Sequence, residues 1–237
     1  MKMSVPALRS ATITAGFLVL AVAMLPDQLA AQGTREDPTD FQAWFATSLT
    51  FDLPDRWEAG LKYRVRLIDD ASTYRGSYLY ADLSRRWTDM LSTMVEYRLA
   101  LVDRGTYHRY AAGAEARYDL TDALQVRGRV IGQYQRQNFD DGPVGSTDSD
   151  FLLRTRLIAR YDLSDAFMAY ASTEPYFTFE EDEYFIDNVR NTVGLRWEFR
   201  PDQQLEISYI YRPDYARSYN RTFHIISVEA GFTVDPF

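Results

Sequence analysis

The feature that most constrains this chain is a two-residue alternation of apolar and polar side chains along most of its length. In residues 57–68, Leu61 and Val65 fall on one face of an extended segment, and Arg64 and Arg66 fall on the other. A helix would bring Leu61, Arg64 and Val65 to the same side, so the pattern predicts a β-strand. We expect eleven such segments, which begin near residues 41, 57, 77, 91, 107, 124, 151, 167, 188, 205 and 222.

The connections between these segments alternate between short turns and longer polar stretches. The short turns are rich in Asp, Pro and Ser, residues that favour turns, and lie at 52–55, 88–89, 119–122, 162–165 and 200–203. The longer connections are expected near 69–76, 135–150, 178–187 and 212–221, with 103–106 as a short member of the set. Short turns opposite longer loops, joined by alternating strands of about 10 residues, are typical of an outer-membrane β-barrel.

The sequence therefore predicts an all-β fold, a transmembrane antiparallel up-and-down β-barrel of 10–12 strands that occupies residues 40–237. The apolar faces of the segments that begin near residues 57, 91, 124, 151, 188 and 205 carry no charge, as contact with lipid requires. Aromatic residues gather beside the short turns as an interfacial girdle would: Phe51, Trp57, Trp87, Tyr118, Tyr161, Phe167, Trp197 and Phe199. The alternative is a soluble β-sandwich or lipocalin-like barrel, in which the apolar face would form the core.

The strand count leaves a question of parity. Single-chain bacterial barrels normally have an even number of strands, with both chain ends at the periplasmic side. Eleven strands imply a short strand hidden in residues 32–40, a miscounted weak segment, or an N-terminal end of the barrel at the outer side.

The N-terminal residues predict export. Residues 1–31 resemble a secretory signal peptide, with Lys2 and Arg9 before an apolar run and Leu29-Ala30-Ala31 as the cleavage site. A single membrane-anchoring helix is the alternative, but the apolar run is shorter than the ~20 residues that a spanning helix needs. Residues 32–39 are a polar lead.

Composition excludes several classes of protein. The chain has 26 Lys and Arg against 34 Asp and Glu, a formal net charge of −8, which argues against nucleic-acid binding. It has no Cys, so disulfides, thiol catalysis and Cys-based metal sites are excluded.

The polar faces of the strands carry more basic than acidic side chains, so we expect a positively charged lumen. The lumen-lining candidates are Arg64, Arg66, Arg98, Arg127, Arg129, Arg154, Arg156, Arg160, Glu174, Arg190 and Arg196. The favoured interpretation is structural, because Arg–carboxylate networks can fill a barrel interior. The alternative is a narrow, anion-preferring pore or a pocket for an acidic ligand.

The sequence offers no catalytic, cofactor or metal site, and we expect the protein not to be an enzyme. A membrane-embedded lipid hydrolase would need a nucleophile and a base within reach, but His224 and Ser227 have opposite parity on their strand. His108 has no Ser nearby on its face. Acidic pairs such as Asp69-Asp70 could bind Ca²⁺ or bridge lipopolysaccharide through divalent ions, although solvated loop charge is the simpler interpretation.

Short motifs along the mature chain resemble the bacterial family catalogued as domain of unknown function 2490. They are Asp40-Phe41 and Trp44, Arg64 and Arg66, Tyr97-Arg98, Arg154 and Arg156, Glu174-Pro175-Tyr176-Phe177 followed by Asn188, Arg190 and Gly194, and Tyr209 and Tyr211. The resemblance implies fold and location only, an outer-membrane barrel, and leaves the activity unassigned. It places Glu174, Arg154, Arg156 and Arg190 inward, where they would share a buried network.

We therefore expect a monomeric outer-membrane barrel that contacts membrane lipid and lipopolysaccharide and has no nucleic-acid partner. The C-terminal aromatic residue Phe237 would be recognised by the barrel-insertion machinery, although Asp235 and Pro236 interrupt the alternation before it. The alternatives are a soluble periplasmic β-barrel that binds an apolar ligand and an outer-membrane lipid hydrolase.

Overall fold

The computed structural model describes residues 39–102, 105–139, 149–180, 183–215 and 221–235. These residues form eleven strands: β1 (Thr39–Leu53), β2 (Trp57–Ile68), β3 (Thr73–Arg86), β4 (Leu91–Val102), β5 (Gly105–Asp119), β6 (Leu124–Phe139), β7 (Ser149–Asp162), β8 (Phe167–Glu180), β9 (Glu183–Arg200), β10 (Gln203–Asp214) and β11 (Arg221–Val234). In the described part of the chain, no helix is long and apolar enough to span a membrane. The predicted signal peptide at 1–31 and the C-terminal Phe237 lie outside the described residues.

The strands form one closed barrel in which each strand pairs antiparallel with its neighbours in the chain. The exception is the closing pair, β1 with β11, which is parallel and aligns Trp44 with Ser227 and Phe51 with Val234. An odd number of alternating strands can close only in this way. The predicted barrel and its eleven strands are confirmed, and β1 begins at the same end as β11, the end with the longer connections.

The connections at this end are shorter than the sequence predicted. Four residues, 69–72, join β2 to β3, and only two separate β8 from β9. The expected loop at 178–187 was wrong in extent, since Thr178 pairs with Phe185 and Phe179 with Tyr184. Polar side chains do not end a strand where the two backbones of a hairpin can still pair.

The outer face of the barrel is apolar along the middle of the strands. Large side chains such as Val95 (52 % exposed) and Leu157 (54 % exposed) project from it. Charged residues occupy the alternate positions, which face the lumen. This arrangement is the reverse of a soluble barrel, where the apolar face is the core, and matches a barrel whose exterior contacts lipid.

Aromatic rings cluster at both ends of this apolar belt. At the short-turn end, the rings of Phe167 and Trp197 stack with centroids 6.1 Å apart. The Arg85 guanidinium lies 4.2 Å from the centroid of Trp87. Toward the other end, His108 contacts Tyr97 and His224 contacts Tyr209 on the outer face. Rings at these two levels are typical of the two interfaces of a membrane.

Candidate functional site: the lumen and its outer mouth

The polar faces of the strands meet inside the barrel. Arg64 on β2 reaches Glu229 on β11, although β1 lies between these strands, and Ser48 on β1 donates a hydrogen bond of 2.9 Å to the same carboxylate. Arg98 on β4 donates a 3.0 Å hydrogen bond to Gln135 on β6, across β5. Contacts that skip a strand in this way join side chains through the lumen.

Toward the short-turn end, ion pairs link neighbouring walls of the lumen. Glu115 accepts hydrogen bonds from Arg127 and Arg129. Glu206 lies 2.8 Å from the Nη2 of Arg196 and accepts a 2.7 Å hydrogen bond from the Tyr170 hydroxyl. Lys62 Nζ lies 2.8 Å from Glu229. Each carboxylate serves two or more donors, so charges that face the lumen are shared among several strands.

Midway along the lumen, Arg154 on β7 holds Glu174 on β8. Its Nη2 and Nε lie 2.7 Å and 3.1 Å from the same Oε1 atom. The Nη1 of Arg154 donates to Gln133 on β6 at 3.2 Å, and the Tyr176 hydroxyl donates to the other carboxylate oxygen at 3.4 Å. The two charged side chains are 11 % and 8 % exposed, so the pair is nearly dehydrated.

Guanidinium groups lie over aromatic rings around this part of the lumen. Arg66 lies 4.1 Å from the ring centroids of both Trp44 and Tyr78. Arg154 and Arg190 lie 4.9 Å and 4.5 Å from the Tyr176 ring. We call this set the arginine belt: Arg64, Arg66, Arg98, Arg109, Arg154, Arg190 and Arg212, with the rings of Trp44, Tyr78, Tyr80, Tyr176 and Phe223. Such contacts hold the guanidinium planes in fixed orientations.

The arginine belt coincides with a level of the barrel where side chains are almost completely buried. Trp44 is 2 % exposed, Tyr176 is 3 % exposed and Ile225 is 0 % exposed. An eight-stranded barrel is just filled by its side chains, whereas barrels of 16 or more strands keep a water channel. In a barrel of eleven strands, whether the lumen is filled depends on the size of the side chains that face it. The Arg, Trp and Tyr side chains of the belt are large enough to fill the lumen of this barrel.

Beyond the arginine belt, toward the longer connections, the barrel opens into a cavity of about 990 Å³. Its floor includes Arg66, Arg98 and Arg190 from the belt. Its walls and rim carry side chains of both signs, the acids Asp40, Asp69, Asp70, Asp187 and Asp214 and the bases Arg75 and Arg221. The cavity is therefore basic at its base, and acidic side chains outnumber basic ones nearer its opening.

The sequence-predicted lumen candidates separate into groups in the structure. Arg66, Arg98 and Arg190 lie at the cavity, Arg64, Arg154 and Glu174 lie at the belt, and Arg127, Arg129 and Arg196 lie in the ion pairs below. Arg156 donates to Ser172 at 3.1 Å. Arg160 faces the lumen closer to the short-turn end than Arg156. Among the described residues, Arg160 forms no ion pair.

The network expected from the resemblance is only partly assembled. Arg154 pairs with Glu174, but Arg156 bonds Ser172 instead, and Arg190 lies on the Tyr176 ring. Arg190 contacts the network through the ring of Tyr176, whose hydroxyl donates to Glu174.

Sequence reasoning missed the aromatic half of the belt and one acid. Tyr78 and Tyr80 have the same parity as Asp82 on β3, so strand alternation alone could have placed them in the lumen. Trp44 and Tyr176 were noted as motif residues but not as lining. Asp214 pairs with Arg212 at 3.1 Å. The sequence did not indicate this role because Asp214 falls in the polar stretch that was predicted as a loop, residues 212–221.

The two histidines lie outside the lumen. The Tyr97 hydroxyl and the Nδ1 of His108 are 2.8 Å apart, and the Tyr209 hydroxyl and the Nδ1 of His224 are 2.6 Å apart. Within the described ranges, no group of three or more His, Asp or Glu side chains has the arrangement of a metal site.

These features define the chain as a closed β-barrel of the outer-membrane type, with an apolar exterior and a charged lumen. The profile of the family described as "Protein of unknown function (DUF2490)" matches residues 41–222, and the chain belongs to this family, as the resemblance predicted. Comparison with curated proteins gave no match. Among solved structures, the translocator domain of autotransporter NalP from Neisseria meningitidis is similar, with 14 % sequence identity and a TM-score of 0.46 over 90 % of this chain and 94 % of that one.

Proposed function

We propose that the protein is a monomeric outer-membrane β-barrel whose lumen is closed by the arginine belt and opens as a cavity toward the longer connections. The apolar exterior and the aromatic rings at both ends of the apolar belt support insertion in a membrane. The predicted signal peptide supports export from the cytoplasm. Together these features favour the outer membrane, with the longer connections and the cavity at the cell surface.

The observation that carries this proposal is the burial at the arginine belt. Trp44, Tyr176 and Ile225 lie on β1, β8 and β11 and are each at most 3 % exposed. A continuous water column at this level would leave some of these side chains exposed to solvent. The geometry therefore favours a closed barrel over the narrow anion-preferring pore, which remains the second candidate because basic side chains predominate at the belt.

The proposed partners follow from the surface of the barrel. Membrane lipid and lipopolysaccharide contact the apolar exterior, and the insertion machinery would recognise Phe237. Because the pairing of β1 with β11 leaves no strand edge free in the described barrel, the sheet offers no edge for association with a second copy.

The remaining alternatives have less support. A periplasmic barrel that binds an apolar ligand needs an apolar interior, whereas the interior of the described residues carries ion pairs. A lipid hydrolase needs a histidine beside a nucleophile, but His108 and His224 are each engaged by a tyrosine. The proposal accordingly includes no catalytic step.

Planar-bilayer recording of the refolded full chain tests the closed lumen. The unmodified protein should give no steady conductance. A Trp44→Ala, Tyr176→Ala double variant removes two rings of the belt and should conduct, with a preference for anions. Trp87→Ala, which removes a ring from the exterior, is the matched control and should stay silent.

Folding of each variant is checked first by the heat-dependent shift in gel mobility. Steady, anion-selective conductance of the unmodified protein would contradict the closed barrel and support the anion-preferring pore.

A further inference from the structure

The cavity at the outer mouth has a floor of three arginines whose charges no carboxylate of the described residues neutralises. Arg66, Arg98 and Arg190 all line it, and none of the three has a carboxylate oxygen within 4.0 Å in the described part of the chain. Arg66 lies within electrostatic reach of both Arg98 and Arg190. Three like charges at the base of one cavity repel one another unless a counter-charge lies among them.

The neighbouring arginines at the same level are different. Arg109 pairs with Glu96, Arg154 with Glu174 and Arg212 with Asp214. Among the described residues, the lack of a carboxylate partner is therefore particular to the three arginines of the floor and is not a general property of the belt.

The contacts of the three arginines hold them in place without occupying all their donors. Arg66 lies between Trp44 and Tyr78 and donates one hydrogen bond, from Nη2 to the Tyr80 hydroxyl at 3.3 Å. Its other terminal nitrogen, Nη1, is left without an acceptor among the described residues.

Among the described residues, Arg98 donates only from Nη2, to Gln135 at 3.0 Å. Arg190 lies 4.5 Å from the Tyr176 ring and makes no hydrogen bond within the described ranges. In all three residues the Nε–H is buried and also lacks an acceptor there. Rings and amides thus fix the guanidinium groups, while terminal N–H donors remain for a ligand.

We propose that this cavity binds a small ligand through an oxyanion, a phosphate or a carboxylate group, which sits among Arg66, Arg98 and Arg190. Guanidinium groups hold such anions through paired, charge-assisted hydrogen bonds. The cavity volume of about 990 Å³ suits a small molecule. Acidic side chains outnumber Arg75 and Arg221 nearer the opening, which favours the anionic end of the ligand at the floor and a neutral or cationic group at the opening.

This inference deepens the proposed function, since it assigns a ligand class to the cavity above the closed level. Binding does not depend on whether the lumen conducts, so the two ideas fail separately.

Calorimetric titration tests whether the cavity binds an anion. The refolded full chain in detergent is titrated with sodium phosphate or sodium citrate, against a sodium chloride background of equal ionic strength. Saturable binding of either anion is expected. Arg190→Gln and Arg66→Gln should each weaken it by about tenfold or more. Arg117→Gln, an arginine at the opposite end of the barrel, is the matched control and should bind as the unmodified protein does.

Tryptophan fluorescence gives a second readout. Trp44 contacts Arg66 at the cavity floor, whereas Trp57, Trp87 and Trp197 lie at the short-turn end of the strands. Anion binding should change the emission of the unmodified protein, and Arg117→Gln should show the same change, whereas Arg66→Gln should require a higher anion concentration to produce it. A folded protein that binds neither anion saturably, or variants at Arg66 and Arg190 that bind as well as Arg117→Gln, would overturn the inference.

Discussion

The Nη2 of Arg154 lies 2.7 Å from the Oε1 of Glu174, and this ion pair joins β7 to β8 inside the barrel where both side chains are nearly dehydrated. Gln133 and Tyr176 complete its hydrogen bonds. A buried ion pair stabilises a fold only while both partners are present, because loss of one leaves the other charged and unpaired.

Glu174→Gln should therefore destabilise the barrel by about 3–5 kcal/mol. The amide keeps the shape of the side chain but leaves Arg154 without its counter-charge. The temperature at which the folded gel band disappears should fall clearly below that of the unmodified protein. Glu198→Gln, at the exposed short-turn end of β9, should leave this midpoint unchanged. Equal midpoints for both variants would show that the pair contributes nothing.

Gly194 on β9 lies beneath the ring of Tyr170 on β8. A Cβ built at position 194 would lie 2.5 Å from two ring carbons of this tyrosine. Gly194→Ala should cost about 1–3 kcal/mol, the usual range for overpacking. Gly128→Ala is the control, because no atom lies within 4 Å of a Cβ at that position.

A double-mutant cycle separates this contact from other effects of the glycine. In a Tyr170→Ala background the ring is gone, so Gly194→Ala should cost little, as measured by urea or thermal unfolding in detergent. The same cost in both backgrounds would mean that the ring is not what requires glycine at 194.

The parallel closure of the barrel can be tested by cross-linking, since the natural chain has no cysteine. Thr47 on β1 is aligned with Ala230 on β11. Paired Cα atoms of neighbouring strands lie about 5 Å apart, a separation that a disulfide can bridge. Thr47→Cys combined with Ala230→Cys should therefore cross-link on mild oxidation and change the mobility of the unfolded band.

The control is Thr47→Cys with Ile226→Cys, in which the second position is displaced by four residues along β11. That separation is about 13 Å along the strand, too far for a disulfide. Cross-linking of the displaced pair in preference to the aligned pair would contradict the eleven-stranded closure.

The barrel could be predicted from the sequence because the alternation of apolar and polar residues indicates which side of a strand faces lipid. A single parity rule places Leu61 and Val65 outside and Arg64 and Arg66 inside. The direction of the closing pair depends on the parity of the strand count, because an odd number of alternating strands closes only through a parallel pair, and the sequence left the count between 10 and 12 strands. The register of β1 against β11 depends on a contact between the first and last strands, on which the pattern within a single strand carries no information.

The residues of the site could be predicted only in part from the sequence. Charged candidates such as Arg66 and Arg190 are conspicuous on a polar face, whereas Tyr78 and Tyr80 resemble further apolar residues and were overlooked. Which arginines pair with acids depends on contacts between strands, as when Arg154 reaches Glu174 and Arg156 turns to Ser172. The pattern of a single strand does not determine such pairings.

The most direct test of the account is spin-label accessibility across two neighbouring strands of the barrel reconstituted in lipid. Single cysteines replace Leu195 and Ile207 on the outer face, and Arg196 and Glu206 on the lumen face. Labels at 195 and 207 should collide readily with oxygen dissolved in the bilayer and poorly with a water-soluble nickel chelate. Labels at 196 and 206 should show the opposite preference. The reverse assignment, or no alternation between adjacent positions, would contradict a lipid-facing apolar exterior around a charged lumen.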